Sequence, residues 1–437
     1  MVVNYKKRFF MLFLLLVFPL WSNAGPKIQH WTTDKGGHIL FVQAPGLPML
    51  DLRMLFDAGS ARDGEQFGVA ALTSALLDTG TLQWNADTIA ERLDQVGAEL
   101  GTGASRDSAF LSLRCLTKDT ILDSSLETLK GIIGSPSFNK KDFEREKKRL
   151  LVGLRHREES PGAIANIAYY KAIYGKHPYA HPTNGLIETV EGLTSDDLIA
   201  FYRRYYLASN ATIVMVGDIS RKRAESIAQL LLSDLPEGSP LSKIPKTQVE
   251  GAAKIEHLKF PSKQTHVFSG LPVLTRLDPD YLPLYVGNHI LGGSGLVSRI
   301  SEEVREKRGL SYSAYSYFSP MTRKGPFIMG LQTKNDQAEE ALKVLHKTVE
   351  DFINNGPTDD ELDAAKRNIS GGFVLRYDSN RKLAEYLGMI GFYRLPLNYL
   401  DTFSARVLAV TRENIVDSFS RRVRPEQFQT VMVGGED

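Results

Sequence analysis

Cysteine is almost absent from this sequence. Cys115 is the single cysteine among 437 residues, so no internal disulfide can form. It lies in SAFLSLRCL, whose alternating apolar residues predict a β-strand. A buried structural thiol is therefore favoured over a catalytic nucleophile at this position.

An excess of charge of either sign is also missing. Lys and Arg together number 53 and Asp and Glu number 51, which gives a formal net charge of +2. Basic stretches such as EREKKRLLVGLRHREE mix both signs at helical spacing, as is typical of a solvated helix face rather than of a nucleic-acid patch. We expect no nucleic-acid partner.

The one long hydrophobic run, FFMLFLLLVFPLW, lies near the start. It follows Lys6, Lys7 and Arg8 and precedes Ser22-Asn23-Ala24, which is the pattern of a signal peptide cleaved after Ala24. An uncleaved membrane anchor is the alternative, but the run is shorter than the about 20 residues that a span requires. We expect residues 1–24 to be removed, changing the net charge from +2 to −1. The mature chain would be periplasmic, with no stable membrane span.

The chain contains an internal repeat. The segments LTSDDLIAFYRRYYLASNATIVMVGD and VTRENIVDSFSRRVRPEQFQTVMVGG align without a gap between Thr194…Gly217 and Thr411…Gly434. Each copy predicts a Thr N-cap, an amphipathic helix, a turn and an apolar strand.

The repeat predicts an α+β protein of two similar domains of about 200 residues each. The expected boundaries are 25–234 and 254–437, joined by a linker over 235–253 with the composition EGSPLSKIPKTQVEGAA. Strands and helices do not alternate strictly, so we expect a mixed or antiparallel sheet with helices packed on it in each domain.

Local patterns place the main elements. In the first half we expect strands around 38–42 and 50–57, a helix over 68–77, and a second helix capped by Asn85 or Asp87. In the second half QTHVFSGLPVL reads as a strand and YLPLYVGNHILGG as a helix. LVSRISEEVREKRGL then predicts a helix that runs into the strand SYSAYSYF.

Five segments in order carry a family resemblance: AGSARDGEQFGVAALTSALLDTGT, TIAERLDQVGAELGTGASRDSAFLSL, FEREKKRLL, YGKHPYAHPTNGLIETVEGLTSDDLIAFYRRYY and LGGSGLVSRISEEVREKRGLSYSAYSY. Together they resemble the pitrilysin-type (M16) zinc metallopeptidases in their two-domain form. The resemblance covers nearly all of the chain after residue 24.

Catalytic members of that family carry an inverted zinc motif, H-x-x-E-H, on the helix after the Arg-Asp-Gly loop. Two His one turn apart bind Zn²⁺ and the Glu acts as general base on the metal-bound water. Here the His positions fall at Ala71 and Ala75, and the Glu position at Ser74. The family's third ligand falls at Val152 or Gly153. We therefore expect no metal in this chain and ordinary core packing for the helix.

Other histidines are weak metal candidates. His177 and His181 stand four apart in HPYAH, but Pro178 and Pro182 break the helix that would align their rings. His289 has no ligand-type residue three or four positions away, which favours a packed histidine.

The second half keeps the family's functional pattern. An Arg and a Tyr seven residues apart match Arg305 and Tyr312 in VREKRGLSY. The resemblance implies that the Tyr hydroxyl donates to the scissile carbonyl in the transition state and that the Arg holds substrate backbone. Arg308 lies one turn from Arg305 and is the alternative. An ion-paired Arg305 and a packed Tyr312 would be the purely structural interpretation.

A glycine-rich loop precedes the arginine helix. Gly292, Gly293 and Gly295 in LGGSG have the backbone freedom for an adaptable substrate contact, and a simple flexible turn is the alternative. Peptide chambers of this kind commonly add an extended peptide to a sheet edge.

These observations lead to one hypothesis and one alternative. The chain resembles the non-catalytic, Arg/Tyr-bearing subunit of a heterodimeric peptidase, inactive alone, whose partner is a zinc-bearing M16 homologue and whose substrate is a peptide. The alternative is a peptide-binding or scaffold protein with no hydrolytic role, which could form a homodimer. A self-sufficient hydrolase is disfavoured, because the serines of GLSYS and LVS have no identifiable base.

Overall fold

A computed structural model describes residues 25–236, 238–248 and 251–435. The signal peptide predicted over residues 1–24 lies outside the described residues. Within the described ranges no helix has the length and apolar character needed to cross a membrane.

The described residues of the first half form six strands and eight α-helices. The strands are β1 (Gln29–Thr32), β2 (His38–Gln43), β3 (Met49–Phe56), β4 (Glu99–Ala104), β5 (Ala109–Leu116) and β6 (Ala211–Gly217). The helices are α1 (Val69–Leu76), α2 (Ala86–Asp94), α3 (Asp119–Gly134), α4 (Lys140–Glu158), α5 (Pro161–Tyr174), α6 (Ile187–Gly192), α7 (Ser195–Tyr205) and α8 (Arg221–Leu232).

The described residues of the second half form five strands and seven α-helices. The strands are β7 (Lys254–Leu258), β8 (Gln264–Leu274), β9 (Ser313–Phe318), β10 (Gly325–Lys334) and β11 (Gln429–Val433). The helices are α9 (Tyr281–Asn288), α10 (Arg299–Ser301), α11 (Ala338–Asn355), α12 (Asp359–Gly372), α13 (Asn380–Phe392), α14 (Tyr399–Leu408) and α15 (Arg412–Arg422).

The two halves share one sheet topology. The first sheet has the order β1-β2-β6-β3-β5-β4 and the second has the order β7-β11-β8-β10-β9. Without β1 the two orders are the same, and each has one parallel pair, β2 with β6 and β7 with β11, among antiparallel neighbours. The predicted α+β class and the internal duplication are confirmed, whereas the boundaries 25–234, 235–253 and 254–437 remain a prediction.

The repeated helix-to-strand unit begins with the same cap in both halves. The Thr194 side chain accepts a hydrogen bond from the Asp197 N–H, and Thr411 accepts from the Asn414 N–H. In both cases the third helical residue bonds back to the cap, which completes a capping box. The sequence had predicted both caps, because a Thr followed by polar residues satisfies N–H groups that the helix leaves free.

One helix of each half packs on the sheet of the other half. Helix α5 of the first half packs on β8 and β11, and its Tyr169 hydroxyl donates to the Phe327 carbonyl oxygen of β10 at 2.9 Å. Helix α13 of the second half packs on β2, β3 and β6. Gly388 and Gly391 make this close approach possible, because a Cβ at Gly391 would lie 2.7 Å from the side chains of Leu40 and Thr212.

A buried carboxylate also joins the halves. Asp107, in the turn between β4 and β5, accepts hydrogen bonds from the Tyr179 hydroxyl, from the Tyr393 hydroxyl at 2.9 Å and from the Thr322 N–H at 2.8 Å. Burial beside Asp107 raises the pKa of both tyrosines, so they stay protonated donors. The exchanged helices and this cluster make the halves interdependent.

Cys115 is buried on β5 as the sequence predicted. Burial raises the pKa of its thiol to about 11, which keeps it protonated at neutral pH. Its position favours packing rather than chemistry.

Candidate functional site

The loop before α1 is held by a buried acid and a histidine. Asp63 accepts hydrogen bonds from the N–H groups of Gly68 and Ala70 at 2.8 and 3.0 Å, so it caps the helix. The His181 ring stacks on Phe67, and its Nε2 lies 2.9 Å from the Ser60 carbonyl oxygen and 3.3 Å from Asp63. His181 therefore fixes the entry to α1.

Helix α1 presents two different faces at the residues aligned with the zinc motif. Ala71 and Ala75 are half-buried and lie one turn apart on the same face. Ser74 is only 1% exposed, and its hydroxyl lies close to the buried Tyr206 hydroxyl. The expectation that the whole helix packs in the core was thus wrong for the Ala71 and Ala75 face. Alanine is compatible with either environment, so the sequence carried no signal to distinguish them.

Helix α4 faces α1 but supplies no third ligand. Val152 is exposed, and no atom lies within 4 Å of the position that a Cβ at Gly153 would occupy. Glu146 is a buried carboxylate on this helix, and it pairs with Arg149 at 2.7 Å and Arg145 at 3.2 Å. Sequence reasoning missed Glu146, although it lies in the FERE segment that carried part of the resemblance.

The residues that the resemblance aligns with the zinc motif do not fit a zinc ion. Methyl groups cannot donate an electron pair, and Glu146 is already neutralised by its arginines. Burial raises the pKa of Asp78, the acid just beyond α1, with Glu146 adding to the effect. Across the described ranges no group of three or more His, Cys, Asp or Glu residues could hold a metal ion.

The remaining histidine candidates are engaged by the fold. His177 Nε2 lies 3.0 Å from the Pro245 carbonyl oxygen, and its Nδ1 accepts from the Tyr179 N–H at 3.1 Å. The ring therefore ties the HPYAH loop to the segment between the halves. Burial lowers the pKa of His289, which leaves its ring neutral at pH 7.

In the second half the helix equivalent to α1 does not end as an ordinary α-helix. Helix α9 widens into a π-helical turn over His289–Gly293, and α10 widens in the same way over Glu302–Glu306. The second turn is marked by the Lys307 N–H, which donates to the carbonyl oxygen of Glu302, five residues earlier. Such turns are rare and are frequent at functional sites.

The three glycines of the loop have different surroundings. Gly292 is buried against β9, where any Cβ would overlap Ser316, and a Cβ at Gly293 would press on Asn288. Gly295 has a φ of +68° and open space around it. Close packing thus requires Gly292 and Gly293, whereas Gly295 leaves the loop backbone accessible beside the exposed Leu296 and Val297.

Arg305 and Arg308 differ in how firmly they are held. Arg308 donates to both the carbonyl and the carboxylate oxygen of Glu303, at 2.7 and 2.6 Å. Among the described residues, the one ion-pair contact of Arg305 is with its neighbour Glu306 at 3.3 Å. Hydrogen bonds from Lys307 and Arg308 hold the pKa of Glu303 below its usual value, so this carboxylate is already occupied. Arg305 is therefore the arginine whose N–H donors are available to bind another molecule.

Tyr312 projects from the edge of the second sheet. Its side chain is 88% exposed, and its hydroxyl has no partner in the part of the chain that the structure describes. The residues before it are fixed, because the Ser311 hydroxyl donates to the Gln332 carbonyl oxygen at 2.7 Å and Thr333 donates to the Leu310 carbonyl oxygen. A freely accessible hydroxyl thus stands on a rigid backbone.

The structure brings the glycine loop, the arginine helix and Tyr312 to one place. Gly309, with a φ of +64°, turns the chain from the helix into β9, and its N–H donates to the Arg305 carbonyl oxygen at 2.8 Å. Asn288 at the end of α9 bonds to Ser316 of β9 through two hydrogen bonds of 2.9 and 2.7 Å. All three candidate segments therefore meet at the edge strand β9.

Two further tyrosines on β9 were not singled out from the sequence. Tyr315 and Tyr317 point to the same sheet face and stack with ring centroids 5.9 Å apart. Tyr315 lies over Gly330 on β10, which has no side chain to hold the ring away from the sheet. The alternation in SYSAYSYF was the available signal for this aromatic surface.

Comparison with known proteins assigns both halves to one family. The family model described as insulinase (peptidase family M16) matches residues 39–185. The model described as the peptidase M16 inactive domain matches residues 192–369. The matches confirm the resemblance carried by the five segments.

Individual relatives agree with this assignment. The chain is 27% identical to an uncharacterised zinc protease of Streptomyces coelicolor over 78% of this chain and 75% of that protein. It is also 27% identical to the non-peptidase homologue YmxG of Helicobacter pylori over 85% of each chain.

Solved structures give the same result. A crystal structure of a peptidase M16 inactive domain from Pseudomonas fluorescens superposes with a TM-score of 0.91 at 38% identity, over 94% of this chain and 98% of that one. A protease from Helicobacter pylori shares the fold, with a TM-score of 0.86 at 20% identity over 94% and 100%. The chain therefore belongs to the M16 peptidase family.

Proposed function

We propose that this chain is the non-catalytic, Arg/Tyr-bearing subunit of a heterodimeric M16 peptidase whose partner chain supplies the zinc. The observation that carries the proposal is the 88% exposed Tyr312 on a rigid sheet edge, beside an arginine with free donors, in a chain whose own α1 lacks ligands. A hydroxyl that is exposed in this way can donate a hydrogen bond to a group on another molecule.

The chemistry of this site is the stabilisation of developing charge. The Tyr312 hydroxyl donates a hydrogen bond to the scissile carbonyl oxygen as that oxygen gains negative charge. Ser311 and Thr333 hold the backbone just before the donor, so little reorganisation accompanies the reaction. Arg305 donates to the substrate backbone and fixes its orientation.

The substrate class that fits this edge is an extended peptide. Strand β9 ends the second sheet and offers unpaired backbone groups, which an added strand can use. The loop at Gly295 approaches the same edge, and the stacked Tyr315 and Tyr317 offer an apolar surface to peptide side chains. Main-chain pairing gives affinity with little sequence preference.

We place this complex in the periplasm, on the strength of the signal-peptide pattern in residues 1–24. N-terminal sequencing of the chain from a periplasmic fraction is expected to begin at Gly25. A chain that begins at Met1 and stays with the membrane fraction would contradict the export proposal.

Affinity purification from periplasmic extract tests the partnership. We expect a chain of similar length with an intact H-x-x-E-H motif to co-purify at equal stoichiometry. Recovery of only a homodimer, in material that binds peptides and never hydrolyses them, would instead support the scaffold alternative.

A further inference from the structure

A cleft at the end of the second sheet shares no lining residue with the segment that carries the glycine loop, Arg305 and Tyr312. It has a volume of about 500 Å³, and its floor is formed by Leu271, Pro272 and Val273 of β8. The pairing of β8 with β11 ends at Gly270 opposite Gln429, so β11 does not flank these three floor residues.

The walls of this cleft are basic. Lys324, Arg421, Arg422 and Arg424 line it together with Gln427, and none of its lining residues carries a carboxylate. The cations come from separate positions: Lys324 directly precedes β10, Arg421 and Arg422 end α15, and Arg424 lies in the turn that follows.

Two of these cations have a structural role that requires no ligand. Arg422 donates from Nε to Asp280 at 2.7 Å and from Nη2 to Asp278 at 3.0 Å. Arg421 pairs with Asp280 and Asp417. These contacts anchor α15 to the loop before α9, and the two arginines hold the pKa of Asp280 below its usual value.

Lys324 and Arg424 have no such explanation. The Lys324 ammonium has no hydrogen bond or ion pair within the ranges that the structure describes. Within the described part of the chain, Arg424 makes a single long hydrogen bond, 3.4 Å from Nε to the Arg421 carbonyl oxygen, which leaves both of its Nη groups uncommitted there. The Nη1 group of Arg422 is uncommitted as well. Like charges gathered around one cleft repel each other unless an anion lies between them.

We infer that this cleft binds a phosphate group, carried either by free phosphate or by a larger phosphoester. Donors that reach the cleft from three separate positions suit a tetrahedral oxyanion better than a planar carboxylate, which presents both oxygens in one direction. The volume leaves room for a group attached to the phosphate. The inference is independent of the proposed peptidase role, because no residue is shared between the two sites.

Isothermal titration of the purified mature chain, in phosphate-free buffer of low ionic strength, tests the inference. The probes are inorganic phosphate, glycerol 3-phosphate and acetate, and a flotation assay compares phosphatidylglycerol vesicles with phosphatidylcholine vesicles. The arms distinguish a free phosphate, a soluble phosphoester and a lipid headgroup.

The variants are Lys324→Gln and Arg424→Gln, with Arg367→Gln as the control. Arg367 is an exposed arginine on α12 without an ion pair among the described residues. Because the two cleft side chains are almost unbonded in the fold, thermal unfolding should remain unchanged in all three variants.

We expect saturable binding of at least one phosphate-bearing probe at one site. Lys324→Gln and Arg424→Gln should each raise its Kd about tenfold, the usual effect of losing one charge-assisted hydrogen bond, and Arg367→Gln should leave it unchanged. The inference is overturned by the absence of binding up to about 10 mM probe. It is also overturned by equal effects of all three variants, by no effect of the cleft variants, or by acetate binding as tightly as phosphate.

Discussion

Apart from β1, the two halves of this molecule have the same strand order, but they differ at the helix that follows β3 in the first half and β8 in the second. In the first half α1 is an eight-residue α-helix capped by Asp63, with methyl groups where relatives would place zinc ligands. In the second half α9 and α10 both pass into π-helical turns, and Arg305 and Tyr312 follow. The two copies of the fold therefore differ at this place: the first half has a regular α-helix, and the second half has an irregular helical backbone.

The difference lies in what each half leaves without a partner. Around α1 the carboxylate of Glu146 is paired with arginines and the His181 ring is bonded to the loop. Around β9 the Tyr312 hydroxyl and most of the Arg305 guanidinium have no partner in the described part of the chain. Uncommitted polar groups on a rigid support are the groups that can act on another molecule.

The largest expected effect is that of Tyr312→Phe in the assembled complex. Loss of one donor to developing charge typically lowers kcat by about 10² to 10³, or roughly 3 to 4 kcal/mol, with little change in KM. Steady-state kinetics on a correctly assembled complex measure it. Unchanged kcat and KM would mean that Tyr312 takes no part in the reaction and would support the scaffold alternative.

Asp107→Ala tests the dependence of one half on the other. It leaves two tyrosine hydroxyls and the Thr322 N–H without their acceptor, so we expect the free energy of unfolding to fall by about 3 kcal/mol. Glu99→Gln is the control, because its pair with Arg381 also crosses between the halves but is exposed and should contribute less than about 1 kcal/mol. Equal effects in urea denaturation would refute the role of Asp107 as the joining group.

Arg305→Ala should raise KM and lower kcat, since an arginine on the substrate backbone acts in the ground state as well as in the transition state. We expect a loss of about 2 kcal/mol in kcat/KM, the value of a charge-assisted hydrogen bond. Arg308→Ala is the matched control, because Arg308 is occupied by Glu303. A larger loss of kcat/KM for Arg308→Ala would mean that Arg308, and not Arg305, contacts the substrate backbone.

The smallest expected effects concern the repeated caps. Thr194→Ala and Thr411→Ala should each lower the free energy of unfolding by about 1 kcal/mol, because each removes one N-cap hydrogen bond. Ser226→Ala on the surface of α8 provides the baseline. Effects that differ by more than about 1 kcal/mol between the caps would show that the two copies no longer make equivalent contributions.

Much of the fold could be predicted from local signals. The helix caps at Asn85, Thr194 and Thr411 follow from side chains that accept hydrogen bonds from nearby backbone N–H groups. The strand QTHVFSGLPVL follows from its apolar pattern. The exchange of α5 and α13 could not, because Gly388 and Gly391 indicate a close neighbour without identifying it.

The candidate site was predictable in part. Family spacing pointed to Arg305 and Tyr312, but their environment depends on contacts far apart in sequence, such as those of Ser311 and Thr333 with the neighbouring strands. The π-helical turns also had no local signature. The half-exposed face of α1 was missed because Ala71 and Ala75 suit surface and core equally well.

The most direct test of the proposed division of labour is the zinc content and peptidase activity of this chain alone and mixed with the proposed H-x-x-E-H partner. After dialysis against a weak chelator we expect no stoichiometric zinc and no hydrolysis for the isolated chain. The mixture should show hydrolysis that a strong chelator abolishes. One tightly held zinc per isolated chain, or chelator-insensitive cleavage by the pure chain, would contradict the account.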